Sequence, residues 1–583
     1  MQSERRFDRW SGLFFLCSTV LVFSMAMDFG IAWDEPEHWA QGHRVLAFFT
    51  SLFQDRQAVN PDFATSYYGG HVHVVSALLE RLLELDAYHT SRLWLPLLGM
   101  LGVAGVWRLT RYIGGEQAGF WAAILLLLMP RYFGHVFINP KDMPFAVGYV
   151  WSLYHLIRIA DVYPSIPAKL AIRTGMVLGV TLGMRTFGGL LWIILPLLLF
   201  YKQWLVSGQA AVKSFGDTLI KNKFPIFLLA LFSCVFCVLL WPSALVSPVQ
   251  TLGHTLSMAA KFSHDYTVFM FGEAYRSSDL PLSYLPIHFG IELPEISLVL
   301  LLAAVPFALH RLFITRDGRE NSEIVGYAGL LAGLLVPLLF VVIFRPSIYN
   351  GTRHFLFLLP PMAALQALLL VSMLSWLRRR GRKFLATLSV WIVVLALFTQ
   401  VARMWLLHPI EYSFYNALIG GLHGAYNRFT IDYWLLSHKP AIENLSATIN
   451  AHPGMTPRAG VGKPFKIFVC PFPDIVAPFL GKHLTTTRNA LDADFILLQS
   501  ARHCVTYYWI DDEKYSGVKQ VAKNLHRVKV KTFEYAQTMG IPTSVILSVE
   551  PKSDWEVCIA SDRESSAEIV WRKDAELRNI CNP

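Results

Sequence analysis

Charge is scarce in this chain. Of its 583 residues only 16% are Asp, Glu, Lys or Arg, against about 25% in an ordinary soluble domain. Cysteine is also sparse, with seven in all, and no spacing among them resembles a zinc site. No internal repeat and no low-complexity segment stands out. What replaces the missing charge is apolar: 54% of the residues are hydrophobic and the mean hydropathy is +0.41. That balance excludes a soluble globular protein and predicts a polytopic membrane protein.

The apolar residues are gathered into runs long enough to cross about 30 Å of hydrocarbon, which takes roughly 20 residues as a helix. In lipid such runs are helical, because nothing there satisfies an exposed backbone N–H or C=O. About eleven transmembrane helices are expected, over residues 11–29, 93–109, 118–129 extended toward 137, 143–159, 170–184, 187–200, 224–245, 296–313, 324–344, 355–376 and 384–405. The third is the weakest, since Pro130 and Arg131 interrupt it. Residues 72–85 are apolar but carry Glu80, Arg81 and Glu84, and read as an interfacial amphipathic helix. The expected class is therefore mainly α.

Lys and Arg favour the cytoplasmic side of short loops. With Arg5, Arg6 and Arg9 inside, alternation also puts Arg108 and Arg111, Arg158 with Lys169, and the segments 202–223, 311–319 and 378–383 inside. All the strongly basic loops then share one side, and the formal charge of +10 records topology, not nucleic-acid binding. The outer side holds the loops 30–92 and 246–295 and the tail from residue 408. Two domains follow: 1–407 in the membrane, and 408–583 outside it. The tail has ordinary polarity, strand-like stretches at 466–469, 495–498 and 544–549, and a helical segment near 440–449. It reads as a small extracytoplasmic α/β domain. Cys470, Cys504, Cys558 and Cys581 all fall in it, enough for two disulfides in any of three pairings. Cys17, Cys234 and Cys237 fall within spans.

Ionisable residues at membrane depth are costly and mark functional sites by default. After the first span comes MDFGIAWDEPEHW, with Asp34 and Glu35 adjacent. Neighbouring carboxylates raise one another's pKa, which equips one of them as a base; the plain alternative is a cap for the helix begun by Pro36. Between spans three and four, FINPKDMPFA holds Lys141 and Asp142, again readable as a cap ahead of Pro144. Arg185, in GMRTFGG, and Arg345, Arg353 and His354, in RPSIYNGTRHFLFLLPP, lie on the outer side, where the inside rule does not place cations. Guanidinium groups bind phosphate through a bidentate fork. Carboxylates and cations on one face predict an acid/base site beside a phosphate site.

The Asp-Glu pair after the first span, the Asp before the fourth and the R-H-F-L-F-L-L-P-P segment resemble the membrane glycosyltransferases of the GT-C class. Within it they resemble the family-39-like branch of protein O-mannosyltransferases and aminoarabinose transferases. Arg185 stands where that branch has a basic residue before glycine, although here Thr186 and Phe187 precede Gly188. The segment HPIEYSFYNALIGGLHGAYNRFTIDYW looks like one in uncharacterised bacterial relatives, and the similarity covers residues 11–435. The resemblance implies a sugar donor carried on a polyprenyl phosphate, transferred with inversion to a lipid, glycan or protein acceptor outside the cytoplasm. It makes Asp34 the general base, Glu35 its support and Asp142 a neighbour in the same cavity, with Lys141, Arg185, Arg353 and His354 on the leaving phosphate. Some members of the class bind a divalent cation, for which Asp34, Glu35 and Asp142 offer hard oxygen ligands. His38, His43, His71 and His73, in the same outer loop, read as satisfied polar groups. The aromatics of the loop 246–295, among them Tyr266, Phe269, Phe271, Tyr275 and Tyr284, read as interface anchors.

Three other functions fit parts of this pattern. Transfer of a preassembled oligosaccharide uses the same groups. A lipid-linked sugar flippase wants repeat symmetry, which the sequence lacks. An envelope assembly subunit needs no paired carboxylates and anion-binding cations. The expected location is a bacterial inner membrane, with the N-terminus cytoplasmic and the tail periplasmic.

Overall fold

Each of the eleven apolar runs is largely helical, with 224–245 broken at residues 239–241 into Lys223–Val238 and Pro242–Val246, in the computed structural model, which describes residues 4–260, 266–314, 321–452, 455, 457, 459–470, 472–488, 492–499, 530–539 and 541–549. Among these residues, seven helices are long and apolar enough to cross a membrane by length and composition: Phe7–Asp28, Ala87–Leu127, Thr186–Lys221, Glu295–Phe313, Ser322–Phe344, Arg353–Arg379 and Lys383–Leu407. The remaining runs are the second arm of Ala87–Leu127 and the helices Asp142–Val162, Ala168–Met184 and Lys223–Val238.

The 41-residue segment Ala87–Leu127 is two helices. Gly115 takes φ 82° and ψ −176°, a conformation closed to residues with a Cβ. Beyond it the chain doubles back: a Cβ on Gly119 would stand 2.8 Å from the Trp107 carbonyl oxygen. In an unbroken helix those two residues would be about 18 Å apart. The two runs 93–109 and 118–129 are thus separate helices joined by a tight reversal. Asp86 caps the first arm, accepting a bond from the His89 amide at 3.0 Å. Pro130 then opens a separate helix, Pro130–Ile138, all nine residues of which are buried. Residues 72–85 form the one-sided helix expected of them: His73–Leu83 buries His73, Ser76 and Ala77 and leaves Leu78, Leu82 and Leu83 exposed.

The chain divides into two compact units. The first comprises Met1–Asp28, Glu37–Asp265 and Ser277–Ile419, and holds the apolar helices. The second comprises Phe29–Pro36, Tyr266–Arg276 and Gly420–Pro583. Its hairpin pairs β1 (Thr267–Met270) with β2 (Glu273–Arg276). Its larger sheet contains β3 (Phe465–Val469), β4 (Leu484–Thr487), β5 (Phe495–Gln499), β6 (Val530–Thr538) and β7 (Ile541–Val549), in the order β4-β3-β5-β7-β6. β3 runs parallel to β4 and β5, and β7 runs antiparallel to β5 and β6. The helix His438–Ala451 buries Ala441, Ile442, Leu445 and Ile449. The tail is therefore α/β, as its sequence pattern indicates. Phe29–Pro36 belongs here because Trp33 stacks on Phe472 at 5.3 Å and meets Trp434 at 6.0 Å. Cys470 is buried, whereas Cys504, Cys558 and Cys581 lie outside the described residues, and the expected disulfides with them.

Candidate active site

The segment Asn139-Pro140-Lys141-Asp142 leads into the helix Asp142–Val162. Pro140 removes one backbone donor, and the Asn139 side chain takes up the next two: its Oδ1 accepts from the amides of Lys141 at 3.1 Å and Asp142 at 2.7 Å. This is an Asx turn serving as helix cap. The cap role that the sequence offers to Asp142 thus falls to Asn139, and the Asp142 carboxylate turns to other partners. Arg185 Nη1 stands 2.8 Å from its Oδ1, and Arg353 Nε donates to Oδ2 at 3.0 Å. Asn139 Nδ2 donates to the same Oδ2 at 3.0 Å and lies 3.0 Å from His135 Nδ1. Asp142 and Arg353 are each 2% exposed. Burial at that depth costs several kcal/mol per ion unless charges pair and their hydrogen-bond positions are filled; two guanidiniums and an amide on one carboxylate meet that condition.

Each cation arrives by local geometry. Arg185 follows directly on the helix Ala168–Met184, in extended backbone, before the turn Thr186–Gly189. Arg353 opens the turn Arg353–Leu358 and lies 5.7 Å from the centre of the Tyr349 ring. His354 meets the Tyr349 ring edge-on at 4.5 Å and is close enough to act on Asp142 electrostatically. Lys141 Nζ sits 4.3 Å from the centre of the Tyr68 ring. Tyr68 is held there by the outer loop, where the Gly69 amide donates to the Gly183 carbonyl at 2.8 Å. The Lys141 ammonium pulls the Tyr68 hydroxyl below its ordinary pKa, against the effect of burial. His38 and His73 stack at 4.6 Å beside this group. Burial lowers the pKa of both, His38 well below its usual value and His73 to about 3, with Lys141 adding to each. Both rings are therefore neutral at physiological pH. The structure thus brings together Asp142, Lys141, Arg185, Arg353 and His354 of the expected site. Three cations face one carboxylate, an arrangement suited to a further anion.

Asp34 and Glu35 belong to the second unit. Glu35 is fully buried and its Oε2 accepts from the Ala32 amide at 2.7 Å, while its own amide donates back to the Ala32 carbonyl at 3.0 Å. That reciprocal pair fixes the turn on which Asp34 sits. Asp34 is half-buried beside it.

A second buried ionic group escaped the sequence reading. Glu292 is 1% exposed; its Oε1 lies 2.7 Å from Arg131 Nη2 and 2.7 Å from His288 Nδ1. Its Oε2 accepts from the Thr352 amide at 3.0 Å and hydroxyl at 2.5 Å. Tyr284, expected at the membrane interface, is buried in this group instead, its hydroxyl accepting from the Gly351 amide at 2.9 Å. The signal available was Arg131, a charge inside an apolar run.

The divalent cation that the resemblance allows does not fit these groups. Among the described residues, no three His, Cys, Asp or Glu side chains are arranged to hold a metal, and both oxygens of Asp142 face guanidiniums.

No family model matches the chain, and no curated protein does. The chain is similar to solved GT-C glycosyltransferases. Compared with the oligosaccharyltransferase of Archaeoglobus fulgidus tethered with an acceptor peptide, it shows 11% identity and a TM-score of 0.48, covering 94% of this chain and 75% of that one. Compared with ArnT from Cupriavidus metallidurans in the apo state, the figures are 12%, 0.47, 93% and 98%. For ArnT bound to undecaprenyl phosphate they are 13%, 0.46, 92% and 98%.

Proposed function

We propose that the protein is an integral membrane glycosyltransferase that moves a sugar from a polyprenyl-phosphate carrier to an acceptor hydroxyl outside the cytoplasm, with inversion. The observation that carries this reading is the buried Asp142 carboxylate shared by Arg185 and Arg353, with Lys141 next to it. A guanidinium has five N–H donors in a planar fork, so an arginine that already holds a carboxylate can hold phosphate as well. In the proposed step, Asp34 takes the proton from the acceptor hydroxyl as its oxygen attacks the anomeric carbon. The bond from that carbon to the phosphate oxygen breaks, and the polyprenyl phosphate leaves with the negative charge. Arg185, Arg353 and Lys141 stabilise that charge as it develops, which is where fixed cations are most effective, and His354 donates a hydrogen bond to the phosphate. Asp142 holds the two arginines in place and takes no proton itself. Glu35 orients Asp34 through the Ala32 turn.

The mechanism requires Asp34 and the C-terminal unit to lie outside the cytoplasm, as the Lys/Arg balance of the loops indicates. A reporter that works only outside the cytoplasm, fused after Pro583, is expected to be active. Activity from a reporter that works only inside would put Asp34 on the wrong side and end the proposal.

A further inference from the structure

The turn that delivers Arg353 is held by more than its own backbone bonds, in which the Arg353 amide donates to the Asn350 carbonyl and the Phe355 amide to the Thr352 carbonyl. Asn350 and Gly351 take successive left-handed conformations, φ 59° and 65°, which Asn tolerates and Gly adopts freely. The turn is then fastened from outside, by atoms that sequence places far away. Glu292 Oε2 receives both the amide and the hydroxyl of Thr352, the residue before Arg353. Tyr284, one turn before His288 on the same helix Tyr284–Glu292, receives the Gly351 amide. The fit is close: a Cβ on Gly351 would stand 2.1 Å from Glu292 Oε1. The other side of Glu292 is anchored by Arg131, on the helix Pro130–Ile138 that also carries His135 and leads into Asn139. The two ends of this arrangement therefore meet at Asp142, Arg353 on one oxygen and Asn139 on the same oxygen and on the helix cap.

We propose that Glu292 is a positioning residue for the anion site: with Thr352 and Arg131 it sets where the Arg353 guanidinium points, and so how tightly a lipid phosphate is held. The sequon-like triplet Asn350-Gly351-Thr352 has its explanation here, since its threonine hydroxyl is used inside the protein. This inference rests on the assignment of Arg353 to the donor phosphate, and the experiment separates the two.

Undecaprenyl phosphate is titrated onto the purified full-length protein in detergent, in wild type and four variants, with the melting temperature of each recorded. Thr352→Val keeps the side-chain shape and the backbone bond and removes only the hydroxyl donor. It is expected to bind roughly tenfold more weakly, in keeping with the sensitivity of bound geometry to small displacements. Thr352→Ser restores the hydroxyl and is expected to recover most of that loss. Glu292→Gln, which leaves Arg131 without its anionic partner, is expected to weaken binding at least as much as Thr352→Val. Arg353→Ala is the control for the underlying assignment. If Arg353→Ala weakens binding while folded Thr352→Val and Glu292→Gln bind as wild type does, the positioning role is wrong and the phosphate assignment stands. If Arg353→Ala itself binds normally, both fall. Should Glu292→Gln not fold, the Val and Ser pair at 352 decides alone; equal weakening in both contradicts the proposal.

Discussion

Asp34→Asn is expected to express, fold and bind polyprenyl phosphate as the wild type does, and to lose sugar transfer by roughly a hundredfold or more. The amide matches the carboxylate in shape, so the turn held by Glu35 and Ala32 keeps its form. Asn also serves about as well as Asp near a helix start. What the amide cannot do is accept a proton, and a general base is needed only in the transfer step. Glu35→Gln is the informative companion. The Glu35 carboxylate is engaged with a backbone amide, so its replacement is expected to cost less activity and more stability. Transfer assays with a polyprenyl-phosphate sugar, beside melting temperatures, separate the two effects. Near-normal transfer by Asp34→Asn would return the motif to an ordinary helix start.

Asp142→Ala is expected to act on stability as well as activity. The residue is buried with Arg185 on one oxygen and Arg353 on the other. Removing the carboxylate leaves two buried or half-buried cations facing each other without an anion. Breaking a buried pair in this way costs about 3–5 kcal/mol, far above the effect of a surface substitution. Unfolding of the detergent-solubilised protein, followed by heat or denaturant, gives the comparison. The distinguishing feature is rescue: an added polyprenyl phosphate supplies a substitute anion and is expected to raise the melting temperature of Asp142→Ala more than that of the wild type. A variant as stable as the wild type, or one stabilised no further by the lipid, contradicts the account of Asp142 as the counter-ion that organises the site.

Those two residues stood out in the sequence for one reason. A charge set in an apolar background has to be accounted for, and Asp34, Glu35, Lys141, Asp142, Arg185 and Arg353 all stand at or near the ends of runs that otherwise belong to lipid. The helices were legible on the same ground, down to the two that meet at Gly115. Less could be seen where a role depends on tertiary pairing. Asn139 precedes a proline and an apparent cap, and only the backbone path shows that its own oxygen does the capping. Glu292 falls in the outer segment 246–295, close to Glu295, where acidic residues are unremarkable; its meaning comes from Thr352 and Arg131, 60 and 161 positions away along the chain. Tyr284 carried the composition of an interface anchor, but its hydroxyl has a buried amide to receive. Periodicity and composition do not encode such pairings, because they report the environment of a residue and not the identity of its partner.

The cations grouped on Asp142 are expected to hold a polyprenyl phosphate. Mass spectrometry tests this on the lipid that co-purifies with the wild type and with Arg353→Ala and Arg353→Lys, each extracted from the same membrane at equal yield. The wild type is predicted to retain a polyprenyl phosphate or its sugar ester, Arg353→Ala to lose it, and Arg353→Lys to retain part of it, since a point charge replaces the planar fork only incompletely. A wild-type protein carrying bulk phospholipid alone, or equal polyprenyl phosphate in all three preparations, would contradict the account.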